Sequence, residues 1–417
     1  MIHNGKIVIT KSKIPVFLMC FLLVDAALLP YIRRIKCTMG MLMILLWYLR
    51  NFNRFRTDRE FRRFIACLVI MVVSLVIGFS VLPSNLPANF TTGGINVINY
   101  DITYSAIIIF AFIYYFYFRE ATKEYYEQFY AVLKFISITI FSFACLYIVS
   151  PTIFYVFRAI FTLSGNTRDV TIGASYVYRY TYSFSDPNSI SAISVAIMML
   201  IFENKNEKIW KKYVYCAMML ISVIASMSAQ GLMALVICLF IYVARLFLEQ
   251  KKRISTISLL ITVVAIVLLF AAWVIIQNQP VIMKSLGRVT SNSNSAQTRL
   301  GVWKNLLANK GVLAYVLFGN GNAISLNGYA IMPHNGHLYL LYSYGLIFYM
   351  LFISIFLWKK RDTKWSNLMF LIPLFVCFTI NVGLIDARYA MFMAALTAFG
   401  FEQAKRYDSY SYYMIER

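Results

Sequence analysis

Acidic side chains are scarce in this chain. Only 17 Asp and Glu stand against 39 Lys and Arg, and the stretch from Gln277 to His337 contains none. That stretch holds Lys284, Arg288, Arg299, Lys304 and Lys310. Without carboxylates it offers no cage for a hard cation, and its uniform positive charge suits an anion. Seven cysteines (Cys20, Cys37, Cys67, Cys145, Cys216, Cys238, Cys377) all fall inside or beside apolar runs with no CxxC spacing. This excludes a disulfide frame and a thiolate zinc site. No Walker motif is present, which excludes a self-contained ATPase. No small-residue cleavage site follows the first apolar run, so that run is expected to stay as a signal anchor. Internal repeats, a low-complexity tail and a soluble domain are likewise missing.

What is abundant is apolar. Hydrophobic residues make up 60% of the 417, and the mean hydropathy of +0.68 excludes an ordinary soluble globule. The expected fold is an all-α polytopic membrane protein, one integral domain over residues 1–417 with about twelve transmembrane helices. The apolar segments are 14–30, 37–49, 64–82, 102–118, 129–149, 190–202, 213–226, 232–248, 254–276, 338–358, 366–381 and 388–404. Most approach the ~20 residues a spanning helix needs; the second and sixth must extend into their flanks or lie short. A net charge of +22 would suggest nucleic acid in a soluble chain. Here its placement accounts for it, and the expected partner is the bilayer, with no nucleic acid. With both termini inside, the cytoplasmic linkers hold 25 Lys and Arg and the external ones 12, as the positive-inside rule requires. One linker departs: Arg33, Arg34 and Lys36 face outward unless the first two runs form a re-entrant hairpin. Asp25, inside the first run, is costly if it faces lipid.

Two external loops are expected to carry function, residues 150–189 and the larger 277–337. The first alternates tyrosines with small polar residues, as an extended or surface-lying segment does, and holds Arg158, Arg168 and Arg179. Arg168 is followed by Asp169, the pattern of a solvated turn as well as of a ligand contact. Asp186-Pro187-Asn188 opens a helix, and capping alone explains it as well as a substrate role does. In the second loop, residues 298–309 read as a short amphipathic helix. Leu300, Trp303, Leu306 and Leu307 share one face, Lys304 and Asn305 lie away from it, and Arg299 projects on the apolar side. An interfacial helix that turns an arginine toward lipid meets headgroups; stacking on Trp303 is the plainer alternative. His334 and His337 stand at i and i+3, where an imidazole can accept a proton near neutral pH.

These motifs follow one another in a set order: Arg179; Phe184-Ser185-Asp186-Pro187-Asn188; Ser228-Ala229-Gln230-Gly231; Arg299-Leu300-Gly301-Val302-Trp303; Leu317-Phe318-Gly319-Asn320-Gly321; His334-Asn335; and Tyr344-Gly345. The set resembles the O-antigen ligase and polymerase superfamily, in particular a Wzy-type O-antigen or exopolysaccharide (capsule) polymerase. It departs at Gln230, where such proteins often carry an arginine. The resemblance implies a cofactor-free glycosyltransferase of the bacterial cytoplasmic membrane. Such an enzyme moves a glycan from undecaprenyl pyrophosphate to the terminal sugar of a second lipid-linked repeat, at the outer leaflet. Its partners are the undecaprenyl-diphosphate-linked oligosaccharide repeat units, the lipid bilayer, a flippase and a chain-length regulator.

The implied leaving group needs charge neutralisation more than protonation. Asp101, Asp169, Asp186 and Asp386 are too scattered to suggest a metal cage, so arginine forks and a metal-independent reaction are expected. Arg299 and His334 are the expected catalytic pair. Arg168, Arg179, Arg288, Lys304, Asp186, Asn188, Asn335 and His337 are the expected substrate contacts. A flippase or transporter, and a ligase that hands the finished glycan to another acceptor, remain the rival readings. The orientation has a direct test: in a cysteine-free background, a cysteine at Ser293 should react with an impermeant maleimide in intact cells. Labelling only after permeabilisation would invert the whole assignment.

Overall fold

The computed structural model of the chain describes residues 2–3, 6–7, 14–28, 39–55, 58–81, 91–92, 95–162, 180–184, 186–226, 228–248, 301, 303–304, 317–319, 325–326, 329–330, 335–360, 363–364, 367–380 and 386–413. Among these the architecture is all-helical, with twelve α-helices and three hairpin ladders of two residues a side. The helices are α1 (Ile14–Ala27), α2 (Met39–Phe55), α3 (Arg59–Val81), α4 (Val97–Glu124), α5 (Tyr126–Val149), α6 (Pro151–Thr162), α7 (Pro187–Glu203), α8 (Ile209–Ser226), α9 (Ala229–Leu248), α10 (Gly336–Phe356), α11 (Leu371–Ile380) and α12 (Ala387–Tyr413).

Eleven of the twelve apolar segments are helices here; the segment 254–276 lies outside the described residues. The two short runs do extend into their flanks, and α2 and α7 reach 17 residues each. The remaining helix, α6, takes up the first third of residues 150–189, and the alternating tyrosines lie beyond it. Phe154 and Arg158 lie one turn apart on its buried side. Helices Tyr126–Val149, Ile209–Ser226 and Gly336–Phe356 are long and apolar enough to cross a membrane, and four shorter apolar stretches accompany them.

Three helices form the centre. Residues 111–118 of α4, 189–201 of α7 and 387–401 of α12 are buried without interruption, as expected of helices apolar on every side. α12 lies along α4; α7 is flanked by α8, α9 and α11; α3 packs on α10. Aromatic rings join the layers. Phe399 of α12 stacks on Phe129 of α5 at 4.4 Å between centroids, and Phe112 of α4 meets Phe356 of α10 at 4.9 Å. Such pairs add about 0.5–1.5 kcal/mol each beyond the area they bury. Asp25, fully buried, faces the bundle, where its Oδ2 accepts the N–H of Gly40 at 3.2 Å in the first turn of α2. A side chain on Gly40 would collide with Asp25 and the Tyr114 hydroxyl.

One end of the bundle is held by charge. Asp58 caps α3, its Oδ1 accepting the amides of Glu60 at 2.7 Å and Phe61 at 3.3 Å. Arg119 of α4 pairs with Asp58 and, at 3.1 Å, with Glu60. Lys360 bonds Glu60 at 2.9 Å and the carbonyls of Ser354 and Ile355 at the C-terminus of α10, where cations are favoured. Three helices are thus clasped through two carboxylates. Burial alone would raise the Asp58 carboxyl, but the Arg119 guanidinium and the capped amides hold it below its ordinary value. A folded-state pKa depressed in this way gives stability that is present above the unfolded value of ~3.9 and is lost as pH falls through the folded one. In detergent, the melting temperature should therefore fall below about pH 4 more steeply for the wild type than for Asp58→Asn. Superimposable profiles would show that the clasp contributes nothing.

Candidate functional site

At the other end, α7, α9, α10 and α12 all begin, and side chains lock their first turns together. Asp186 is extended at φ −131° and ψ 133°, and its Oδ1 accepts the Asn188 amide at 2.7 Å with Pro187 opening the helix. The capping expected there is present. Asn188 Oδ1 accepts from Ser228 Oγ at 2.7 Å, and Ser228 Oγ accepts the Gly231 amide at 3.2 Å. One hydroxyl therefore caps α9 and ties it to α7. Gly231 is forced by this approach, because a Cβ there would overlap Ser191 Oγ. Cys377 of α11 donates to the Asn188 carbonyl at 3.7 Å. Asp386 caps α12, accepting the amides of Arg388 at 3.0 Å and Tyr389 at 3.4 Å. Four helix N-termini, each a partial positive charge, thus gather at one end of the molecule.

Asn335 caps α10 through Oδ1 and the Leu338 amide at 3.0 Å. His337 has both ring nitrogens engaged: Nε2 with Thr379 Oγ1 at 3.1 Å and Nδ1 with Tyr349 OH at 3.0 Å. Its ring packs on Phe375 and Phe378 of α11. In this arrangement it joins α10 to α11, with no ring nitrogen left over for a substrate or a metal.

The turn leading into α7 is fixed from several sides. Tyr180 OH donates to the Ile140 carbonyl at 2.6 Å, Tyr182 OH bonds Thr139 Oγ1 at 3.0 Å, and Ser183 Oγ donates to the Ala27 carbonyl of α1. Arg388 Nη1 donates to Ser183 O at 3.0 Å and Arg158 Nη2 to Phe184 O at 3.1 Å. Both guanidiniums are buried. Tyr182 sits at φ +54°, a left-handed backbone that costs a residue bearing a Cβ about 1–2 kcal/mol. Such a conformation persists where its surroundings over-determine it. Burial pushes the phenols of Tyr180 and Tyr182 well above their ordinary value, so both remain neutral donors.

Two motifs far apart in sequence interlock. α10 is broken at Gly345, with φ 85° and ψ 173°, and Gly319 stands at φ 77° against it. A Cβ on Gly345 would overlap the Leu317 carbonyl, and one on Gly319 would meet the backbone of Ser343 and Tyr344. Ser74 of α3 donates toward the Phe318 carbonyl and, at 3.4 Å, the Tyr344 carbonyl. Tyr344 OH bonds Ser105 of α4 at 2.9 Å. Residues 317–319 are therefore inserted at the break, with Leu317 and Phe318 exposed on its outer side.

Of the residues singled out by sequence, the structure brings together Asp186, Asn188 and the Ser228–Gly231 turn, and places Asn335 and His337 one helix away across α11. Lys304 is exposed, and residues 301, 303 and 304 are helical or at helical positions in part of the expected 298–309 helix. Arg168, Arg179, Arg288, Arg299 and His334 lie outside the described residues. Sequence counted Arg158 and Arg388 only as loop charges. Their signal is a lone arginine one turn from a buried ring in IFYVFRAIF, and one directly after a helix cap. Comparison with known proteins adds no relative: no protein-family model, curated protein or solved structure matches the chain.

The glycine interlock has a clear test. Gly345→Ala forces a backbone region reserved for glycine, about 1–3 kcal/mol before any overlap, and should lower the thermal midpoint and the folded yield in detergent. Gly301→Ala, with nothing within 4 Å of the new Cβ, should leave both unchanged. Equal behaviour of the two variants would remove the interlock.

Proposed function

We propose that this chain is a polysaccharide polymerase of the bacterial cytoplasmic membrane. It transfers a glycan from undecaprenyl pyrophosphate to the terminal sugar of another lipid-linked repeat on the outer side. About twelve spans form one domain with both termini in the cytoplasm. The charge-clasped end lies inside, flanked by Arg62, Lys123, Lys205, Lys208 and Lys359, and the capped end lies outside. The observation that carries the reading is the gathering of motifs. Asp186 to Asn188, Ser228 to Gly231 and Asn335 are scattered in sequence but belong to one end, where each caps a helix. The ordered set of motifs supplies the class of reaction.

In this reading the diphosphate leaves as an anion held by arginine forks and needs no metal. Arg299 supplies the catalytic fork, and Arg179, Arg168, Arg288 and Lys304 are the further substrate contacts of this reading. The acceptor hydroxyl attacks the anomeric carbon, the bond from that carbon to the phosphate oxygen breaks, and His334 takes the hydroxyl proton. The capped turns at Asp186, Asn188 and Asn335 hold the rigid floor of the site.

One observation favours a transporter as the second reading: α10 is a discontinuous helix with a loop inserted at its break, as in many carriers. The lipid-linked glycans of a strain lacking the protein separate the cases. Single repeats accumulating outside support a polymerase; repeats trapped inside indicate a flippase; long chains left on the lipid carrier indicate a ligase. Within the polymerase reading, Arg299→Lys keeps the charge but loses the paired bonds, and should cut chain elongation about ten- to a hundredfold at normal protein level. Wild-type elongation by Arg299→Ala would remove Arg299 from the chemistry.

A further inference from the structure

Ser150 alone separates α5 from α6 and serves both. Its amide donates to the Leu146 carbonyl at 2.8 Å, closing α5. Its hydroxyl accepts the Ile153 amide at 3.4 Å and its carbonyl the Phe154 amide at 3.1 Å, so α6 opens at once, with Pro151 in its first turn. α5 is long and apolar enough to span a membrane, and α6 therefore starts at the level where the chain leaves the bilayer. The Phe154 ring reaches Phe143 at 6.3 Å and Tyr147 at 5.6 Å, which holds α6 against the last turns of α5. Its 12 residues make about 18 Å of helix, too little to cross a hydrocarbon core of about 30 Å.

The two sides of α6 differ. Inward, Phe154 meets Tyr180 at 5.3 Å, and Arg158, the single charge of the helix, is buried and closes a neck with the Phe184 carbonyl at 3.1 Å. Outward, Ile153, Val156 and Phe157 stand at i, i+3 and i+4 on one face and are 48%, 58% and 45% exposed. They follow directly on the exposed stripe of α5, which runs from Phe135 and Ile138 to Ile148 and ends at Val149, 83% exposed. No residue from Phe135 to Phe157 is charged.

We infer that α6 is an interfacial helix seated in the outer leaflet, with Ile153, Val156 and Phe157 set among lipid acyl chains just beneath the headgroups. The inference goes beyond the polymerase reading and rests only on its placement of the chain in a membrane. The occupant follows from continuity: one capped residue joins this face to the lipid-facing end of a span. A helix that directly follows one span, cannot make another and turns an uncharged apolar face outward lies in the interface plane. With its only charge turned inward, α6 is held by apolar burial and not by anionic headgroups. Its opposite side carries the turn into α7, so the start of the 150–189 region belongs to the bilayer surface and not to open water.

The test uses single nitroxide labels at Val156, Ile138 and Lys123 in the cysteine-free full chain, reconstituted in phosphatidylethanolamine vesicles with and without phosphatidylglycerol. Ile138 reports the middle of α5 and Lys123 the exposed, charged end of the bundle. The Val156 label should be relaxed by dissolved oxygen more than by a water-soluble nickel chelate, with a ratio at least about fivefold above that of the Lys123 label and a depth shallower than Ile138. Its depth should be the same in both vesicle types. A Val156 label open to nickel, while Ile138 stays closed to it, overturns the inference and leaves α6 in water. Closure to both reagents also overturns it, because protein and not lipid then covers the face. A depth that needs phosphatidylglycerol refutes the apolar seat. An Ile138 label open to nickel sinks the membrane placement itself, and the inference with it. If the cysteine-free chain does not fold, benzoylphenylalanine in place of Phe157 in the wild-type background decides the matter. It should crosslink to phospholipid on illumination, and crosslinks to protein alone overturn the inference.

Discussion

Every place where a helix begins or breaks inside an apolar bundle exposes backbone amides and carbonyls that must find partners. In this protein that requirement organises the capped end, the broken helix and the clasp alike. Asp186, Ser228, Asn335 and Asp386 each satisfy the amides of a first turn, and the Ser228 hydroxyl also donates to Asn188 Oδ1, so that satisfying one helix positions the next. Asp25 does the same for α2 from a neighbouring helix, which accounts for a carboxylate that looks out of place in an apolar run. At Gly345 the helix is broken, and Ser74 and an inserted loop meet its backbone. In lipid, unwound backbone survives where protein covers it, and 317–319 with α3 provides that cover.

Much of the helical layout was legible, because apolar runs of this length leave few alternatives. The segment 129–149 is long, apolar and uninterrupted, and it is found inside the helix Tyr126–Val149, with the same C-terminal bound. Helix α6, directly after Ser150, was not singled out. A short run such as IFYVFRAIF fits a strand, a surface loop and an amphipathic helix equally well until the partner face is known. Capping at Asp186 could be read locally because Asp-Pro-Asn states its own geometry. The meeting of Gly319 with Gly345 could not: each glycine is explained by an ordinary turn on its own, and only the shared steric gap shows that neither admits a Cβ. Arg158 and Arg388 were invisible for a similar reason. A loop charge and a buried one look the same in a sequence, and what separates them is the set of carbonyls they reach.

The two ends differ in the kind of force that holds them. The clasp relies on ion pairs among partly exposed side chains, which are worth little singly and more as a network. Around Asp58, Glu60, Arg119 and Lys360 the geometry is of the network kind, with each carboxylate shared between helices. The capped end has hydrogen bonds from side chains to backbone instead, with Asp, Ser and Asn caps and two buried arginines on carbonyls. Each of these contacts is made to the backbone at short range, where salt screens less than it does between exposed ion pairs.

The closed neck between Arg158 and Phe184 has an evolutionary corollary. Arg158 on α6 holds Phe184, and Arg388 on α12 holds Ser183, so the two ends of the intervening segment are kept together whatever its length. Lengthening such a segment twofold costs only about 0.6 kcal/mol in closure entropy. Homologous proteins facing different surroundings are therefore free to exchange the interior of this loop, in length and in composition, while the flanking arginines and tyrosines stay put. Variation concentrated between residues 163 and 178, bounded by invariant neck positions, is the signature such a history would leave.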